Sequence, residues 1–491
     1  FGPSRFGSSH GAWLGGSLGP RPGHCRGPHR EPEPGSDMAE SEGPLTAGVA
    51  HINQHAEEHF GGVLACSWTP AKGRILRATK TFQMGEVILV ESPLHIVQEQ
   101  EKSAAFRKLK ELCKQRPDDF DYEPLWYWCA IQSLTKDQLK DAAIPGCTGT
   151  TPETQHNLRL LHHEKITEPS KAAELIASEI AVGADPLVVE SLIQIWVLNC
   201  FEYSDDPQGY STYFFSSFMS HSCFPNAVWH YSGADHVLRC RREIKVGDEV
   251  CISYLPESGL LQSAPARRME LSDTKRFWCD CERCAPGVPD LSRGLKCPAC
   301  SSGTVFAKTP AAGPAPDARL LPSQLAGVVC DKCRHAVTKT EAGKLAALEK
   351  KLKDIVDDYT KEEGKSIQML EKDEQFIDQH FEQHVLADLA WEQFCSHYAA
   401  KRRVQDQRRL LQRRCDFHKA AYPGLSGAHA WALEALGDCV RSIAKKGVVG
   451  AESNLTTARQ HYSEANDILR LMFGDDHEYV TDVDAKLVAD D

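Results

Sequence analysis

No apolar run in this 491-residue chain approaches the roughly 18 residues that a membrane-spanning helix needs, which excludes a helical membrane protein. Positive charge is also scarce. Lys and Arg number 56 against 68 Asp and Glu, a formal net charge of -12, and phosphate contacts need a basic face. A general nucleic-acid binder is excluded, and the one local basic run, Lys401 to Arg414, reads as a solvated helix face. No secretory segment is read ahead of the nineteen cysteines, so a disulfide framework gives way to reduced thiols in the cytoplasm or nucleus. Residues 1–45 lack any hydrophobic period and are rich in Gly, Pro, Ser and Arg, so disorder is expected there. Met38-Ala39-Glu40 looks like an ordinary translation start, and a chain beginning near Glu57 is expected to keep its fold.

What remains is the composition of a globular protein, 41% hydrophobic and 25% charged, long enough for about three domains. His51, His55 and His59 recur every fourth residue and read as exposed histidines on a short helix. From Gly62 to Pro93, apolar runs at Val63 to Cys66, Ile75 to Ala78 and Val87 to Val90 alternate with polar turns and predict strands. Helical spacing follows from Lys102 to Cys129 and from Glu168 to Cys200, with prolines as breakers. Ala227 to Tyr231, His236 to Cys240 and Val250 to Tyr254 again predict strands, the first two as a hairpin. Cys297, Cys300, Cys330 and Cys333 form two CxxC pairs with the spacing of a structural zinc ribbon. Cys279, Cys281 and Cys284 form a CxCxxC that is one ligand short of a tetrahedral site. From Glu341 onward the pattern is helical, including Phe381, Val385, Leu389 and Trp391.

Ser220-His221-Ser222-Cys223-Phe224-Pro225-Asn226 and Gly247-Asp248-Glu249-Val250-Cys251-Ile252-Ser253-Tyr254 resemble the two signature motifs of SET-domain protein lysine methyltransferases, NHSCxPN and GEEIxxxY. Lys72 to Ala78 resembles the KGxGLxA that opens such domains, and Met84 to Pro93 the GExIxxExP that follows. The zinc finger that SMYD-type members carry after that ExP is missing, since Cys113, Cys129 and Cys147 are too sparse for it. The chain is similar to a SMYD-type enzyme without its MYND finger.

The resemblance implies an α+β protein: a SET β-fold at 46–256 split by a helical insertion at about 94–196, a cysteine-rich zinc post-SET and ribbon-like region at 257–340, and a TPR-like helical domain at 341–491. It implies S-adenosylmethionine as methyl donor, a lysine of a protein as acceptor, and two zinc ions, with Cys223 completing the CxCxxC site. It further implies that Tyr254 aligns the transfer, that Phe201 lines the lysine channel, and that Phe277 stacks on the adenine. Lys72, Gly73 and Arg74 would approach the methionine moiety, and Asn199, Ser220 and His221 would hydrogen-bond the cofactor. A protein partner on the helical domain is a further expectation. Three positions depart from the family: Ile75 for a glycine, Ser220 for an asparagine, and Lys275 where a second channel tyrosine often stands, which implies a wider or differently hydrated channel. These departures favour the competing reading, a SET-like scaffold that binds partners without catalysis.

Overall fold

The computed structural model describes residues 42–141, 144–311, 318–361, 365–444 and 451–489; the expected disordered tail falls almost wholly outside them. The strands in chain order are β1 (Leu64–Thr69), β2 (Gly73–Ala78), β3 (Val87–Glu91), β4 (His95–Gln98), β5 (Phe201–Asp205), β6 (Gln208–Thr212), β7 (Ser220–His221), β8 (Ala227–Ser232), β9 (Asp235–Cys240), β10 (Cys251–Ile252), β11 (Pro289–Lys296), β12 (Thr304–Lys308) and β13 (Phe381–His384). They pair into small sheets: β1 with β2, β3-β9-β8, β4-β6-β5, the parallel pair β7 and β10, and β12-β11-β13. β3 pairs with β9 and β4 with β6, so strands on either side of the helical segments Ala104–Gln115 to Pro186–Asn199 close on each other. Side-chain caps from Ser103, Thr151, Ser170 and Asp185 start four of those helices.

Glu91 ends β3 as a buried carboxylate that accepts from the backbone N–H groups of Phe215 (2.7 Å) and Ser216 (2.8 Å). It thereby fixes the single turn Ser216–Phe218 that feeds Met219 into β7. Asn226 ties the other side of the same loop: its Oδ1 accepts from Cys251 N and its Nδ2 donates to Glu249 O, both at 2.8 Å. The parallel register Cys251↔Ser220 and Ile252↔His221 follows from these two anchors.

The helix Glu42–Phe60 is longer than the short helix expected, and its histidines are not simply exposed. His51 bonds Asn157 at 3.0 Å and the His55 ring packs edge-on to Phe214; burial, with His59 and His51 beside it, pushes the His55 imidazole down to about 4. Ile52 and Ala56 are fully buried, and Asn53 exchanges hydrogen bonds with the backbone of Cys66 in β1. A chain beginning at Glu57 would remove these contacts, so the premise that this stretch has too little to bury is corrected and such a chain is expected to be less stable. Ile52→Ala alone is expected to cost about 2–4 kcal/mol, read from the midpoint of urea unfolding.

The C-terminal part is not helical throughout. Phe381–His384 pairs with β11 as an edge strand, although Phe381, Val385 and Leu389 fit a helix period; buried Phe381 and His384 gain a sheet partner that local spacing could not reveal. His384 Nδ1 then caps the following helix, Val385–Ala400, accepting from Leu386 N. Its Nε2 donates to Glu349, which also receives Arg293 at 2.6 Å. Burial opposes the charge on Glu349, but His384 and Arg293 outweigh it and hold the carboxyl at about 2. Asp388 is likewise held at about 2 by Arg414 and His418 against its own burial. Both carboxylates have depressed folded-state values, so their stabilisation is complete above the ordinary carboxylate range and is lost as pH falls through about 2. Acid titration followed by tryptophan fluorescence is expected to loosen this region between about pH 4 and 2.

The helical region docks on the sheets through arginines. Arg241 forms a buried pair with Glu257 (2.6 Å) and donates to Leu425 O (2.8 Å), while Arg283 reaches Cys223 O, Leu260 O and Ala421 O. Gly474, at φ +88, leaves room where a Cβ would lie 2.2 Å from the Arg239 guanidinium.

Candidate active site

Tyr254 follows β10 at the seam of the two hydrophobic cores and packs against both. Its backbone N–H donates to His221 Nδ1 at 2.9 Å, and its hydroxyl donates to Met219 O at 2.5 Å. Burial, and then Cys251 and Glu249 nearby, drives the phenol well above its usual range, so it stays protonated and acts as a hydrogen-bond group rather than a base. Because His221 Nδ1 accepts, its proton sits on Nε2, which faces Cys223 Sγ at 3.3 Å. Burial holds this imidazole neutral, at about 4. The Phe277 ring stands 6.0 Å from His221 and 6.2 Å from Tyr254, edge-on to the latter.

Two cysteine sets flank this centre. Among the described residues these are the groups in which three or more candidate metal-ligating side chains meet: Cys223, Cys279, Cys281 and Cys284, and Cys297, Cys300, Cys330 and Cys333, each with all sulfurs within 4.8 Å. Individual separations are 3.6 Å and 4.0 Å from Cys223 to Cys284 and Cys279, and 3.7 Å and 3.9 Å within the second set. Zn–S bonds of about 2.3 Å arranged as a tetrahedron put the sulfurs about 3.8 Å apart, so both sets fit zinc. Buried Arg267 lies against the first set, its guanidinium 3.6 Å from Cys284 Sγ, where it would offset thiolate charge. In the second set, Gly303 lets its backbone pass where a Cβ would come within 2.4 Å of Cys330 Sγ.

One cavity of ≈1720 Å³ runs through the site. That exceeds the roughly 300–1,000 Å³ of a single small-molecule pocket. It is lined by Lys72, Gly73, Arg74, Ser220, His221 and Phe277, by the aromatic side chains Phe201, Trp229 and Tyr231, and by Tyr254. Gly73 adopts φ +69 with no atom within 4 Å of a would-be Cβ, an open cradle at the start of β2. Lys72 bridges Glu249 at 2.9 Å, and Arg74 lies over the Phe218 ring at 4.9 Å. Phe201 begins β5 and meets Tyr213, Trp229 and His236 edge-on at 5.2–5.4 Å.

Three residues differ from their sequence reading. Ile75 needs no special backbone: it lies in β2 opposite Ser67, 1% exposed, and Gly73 alone takes the left-handed turn. Asn199 lines the cavity, but its side-chain amide donates to Ile195 O (2.7 Å) and His162 O (2.8 Å) and accepts from His162 N, so the side chain braces the helical insertion and leaves only the backbone for the expected cofactor contact. Lys275 does not leave a gap. Its side chain enters the cavity and its amine donates to Leu198 O at 3.1 Å. Sequence reasoning missed Trp126 and His162 from the insertion and Trp431, Phe473 and Tyr479 from the C-terminal helices, all of which line the cavity; no local motif marks them.

Residues 73–255 match the family model described as SET domain, and the chain therefore contains a SET domain. Its relatives are lysine methyltransferases of the SMYD kind, and no cysteine set for a further zinc finger occurs among the described residues. Human "Histone-lysine N-methyltransferase SMYD3" is 41% identical over 68 residues, 14% of this chain and 15% of that protein. "N-lysine methyltransferase SMYD2-A" of Xenopus laevis is 25% identical over 273 residues, 46% of this chain and 61% of that protein. "Histone-lysine N-methyltransferase ASHR1" of Arabidopsis thaliana is 31% identical over 148 residues, 29% and 28%. The chain thus spans between 15% and 61% of the length of the first two. Among solved structures, the SET domain of LSMT bound to lysine and AdoHcy covers 90% of this chain and 91% of its own at 11% identity, with a TM-score of 0.30, too loose an overlap to inform the site. No helix among the described residues is long and apolar enough to cross a membrane.

Proposed function

We propose that this chain transfers the methyl group of S-adenosylmethionine to a lysine side chain of a protein, in the cytoplasm or nucleus. The observation that carries this reading is the single cavity in which a glycine cradle and an aromatic pocket share Tyr254. S-adenosylmethionine supplies an electrophilic sulfonium methyl group when bound. Lys72, Gly73, Arg74, Ser220 and His221 would hold it, with Phe277 against the adenine. A lysine amine is mostly protonated at neutral pH, its ordinary pKa being about 10.4; the aromatic walls formed by Phe201, Trp229 and Tyr231 disfavour the cation and shift it toward the free base. Tyr254, kept protonated and pinned to Met219 O, orients the amine side of the cavity. Zinc on the first cysteine set would tie the segment carrying Phe277 to the loop carrying His221.

The test is incubation of the purified chain with methyl-labelled S-adenosylmethionine and mixed core histones, followed by total hydrolysis. Label recovered as methyl-lysine supports the reading; cofactor binding without transfer to any protein would favour the scaffold. Ser220 lies in β7 beside the cavity, half-buried, where the family residue is longer by an amide. Ser220→Asn is expected to tighten S-adenosylmethionine about tenfold by direct contact, or to leave it unchanged where a water bridges the hydroxyl, as titration calorimetry would show.

A further inference from the structure

The cavity already contains an amine. Lys275 ends the helix Ala264–Lys275, and the chain then turns through Arg276 in the left-handed region at φ 58, with the Arg276 guanidinium anchored by Glu164 and Tyr122. Lys275 lines the same cavity as Phe201 and Tyr254. Its Nζ donates to Leu198 O, a carbonyl in the last turn of the helix Pro186–Asn199, and stands 6.0 Å from the centre of the Tyr254 ring. Among the described residues it has no ion-pair partner. Burial pushes the amine below the ordinary lysine range, with the Cys200 thiol pulling the other way, which favours the free base that nucleophilic attack requires.

We propose that Lys275 is a self-methylation site: the chain methylates this lysine from its own bound S-adenosylmethionine. The proposal rests on the function proposed above. The Nζ lone pair attacks the methyl carbon; the new N–C bond forms as the C–S bond breaks, the sulfonium becomes a neutral thioether, and the methylated nitrogen loses a proton to water. A four-carbon stem lets the amine exchange between Leu198 O and the Tyr254 side of the cavity. Tethering replaces a bimolecular encounter by an intramolecular one, so no second protein is needed. An amine enclosed in the cavity wall is poorly placed for any other enzyme.

The experiment uses the full, zinc-loaded chain and S-adenosylmethionine carrying a deuterated methyl group, with peptide mass spectrometry of the segment containing Lys275. S-adenosylmethionine binding is measured on the same sample by calorimetry. The expected result is a deuterated methyl on Lys275, at a first-order rate unchanged over a tenfold dilution of protein, slowed about 10²-fold by Tyr254→Phe and absent from that position in Lys275→Arg. A chain that binds the cofactor and leaves Lys275 unmodified overturns the proposal and spares the general function, as does labelling whose rate rises with protein concentration. A chain that binds no cofactor overturns both.

Discussion

Tyr254→Phe is expected to reduce methyl transfer by about 10²-fold or more while S-adenosylmethionine affinity stays within about twofold. The substitution removes one hydroxyl and keeps the ring that both cores pack against. The lost group is the donor to Met219 O, which fixes the phenol in the cavity wall. Because the phenol stays protonated, its contribution is orientation and hydrogen bonding, and the pH profile of the residual activity should keep its shape. The backbone N–H of Tyr254 and its bond to His221 survive, so the surroundings of His221 should not move. Single-turnover rates and calorimetry on both proteins separate the two effects; equal loss of affinity and rate would show that Tyr254 holds the cofactor instead.

Metal analysis is expected to find two zinc ions per chain, and Cys279→Ser to remove one and with it most cofactor affinity. Structural zinc in small peptides contributes about 10–16 kcal/mol of binding free energy near neutral pH. Cys279 lies two residues beyond Phe277 and four beyond Lys275, and its carbonyl accepts from buried Arg268. Without the metal, three thiols remain beside the Arg267 guanidinium. The second set joins the connection between β11 and β12 to the segment carrying Cys330 and Cys333 and should keep its ion. Elemental analysis by mass spectrometry, paired with S-adenosylmethionine titration, checks both; a Cys279→Ser protein with two zinc ions and unchanged affinity would contradict the tethering role.

The motifs around His221, Cys223, Asn226 and Tyr254 were legible because their chemistry is compressed into two short segments; the second cysteine set was legible from its two CxxC pairs, whereas Cys223 joined the CxCxxC only through the family resemblance. Strand existence was legible too, from apolar runs bounded by turns. What stayed hidden is long-range. Glu91 stands out in the sequence only as the acid of the ExP motif, and its role appears when its carboxylate is seen accepting from Phe215 and Ser216. Strand Phe381–His384 is set by β11, nearly ninety positions away in the chain. Ile52 looks isolated in a polar stretch and is nonetheless fully buried. The meaning of Lys275 depends on its amine reaching Leu198 O and lying 6.0 Å from the Tyr254 ring, and spacing carries no information on that.

The most direct measurement is calorimetric titration of the zinc-loaded chain with S-adenosylmethionine, with Gly73→Val as the control that fills the open cradle beside Arg74. The expected result is one S-adenosylmethionine bound per chain at micromolar affinity, weakened at least tenfold by Gly73→Val. No heat of binding to a folded, zinc-replete protein would contradict the assignment of this cavity to methyl transfer.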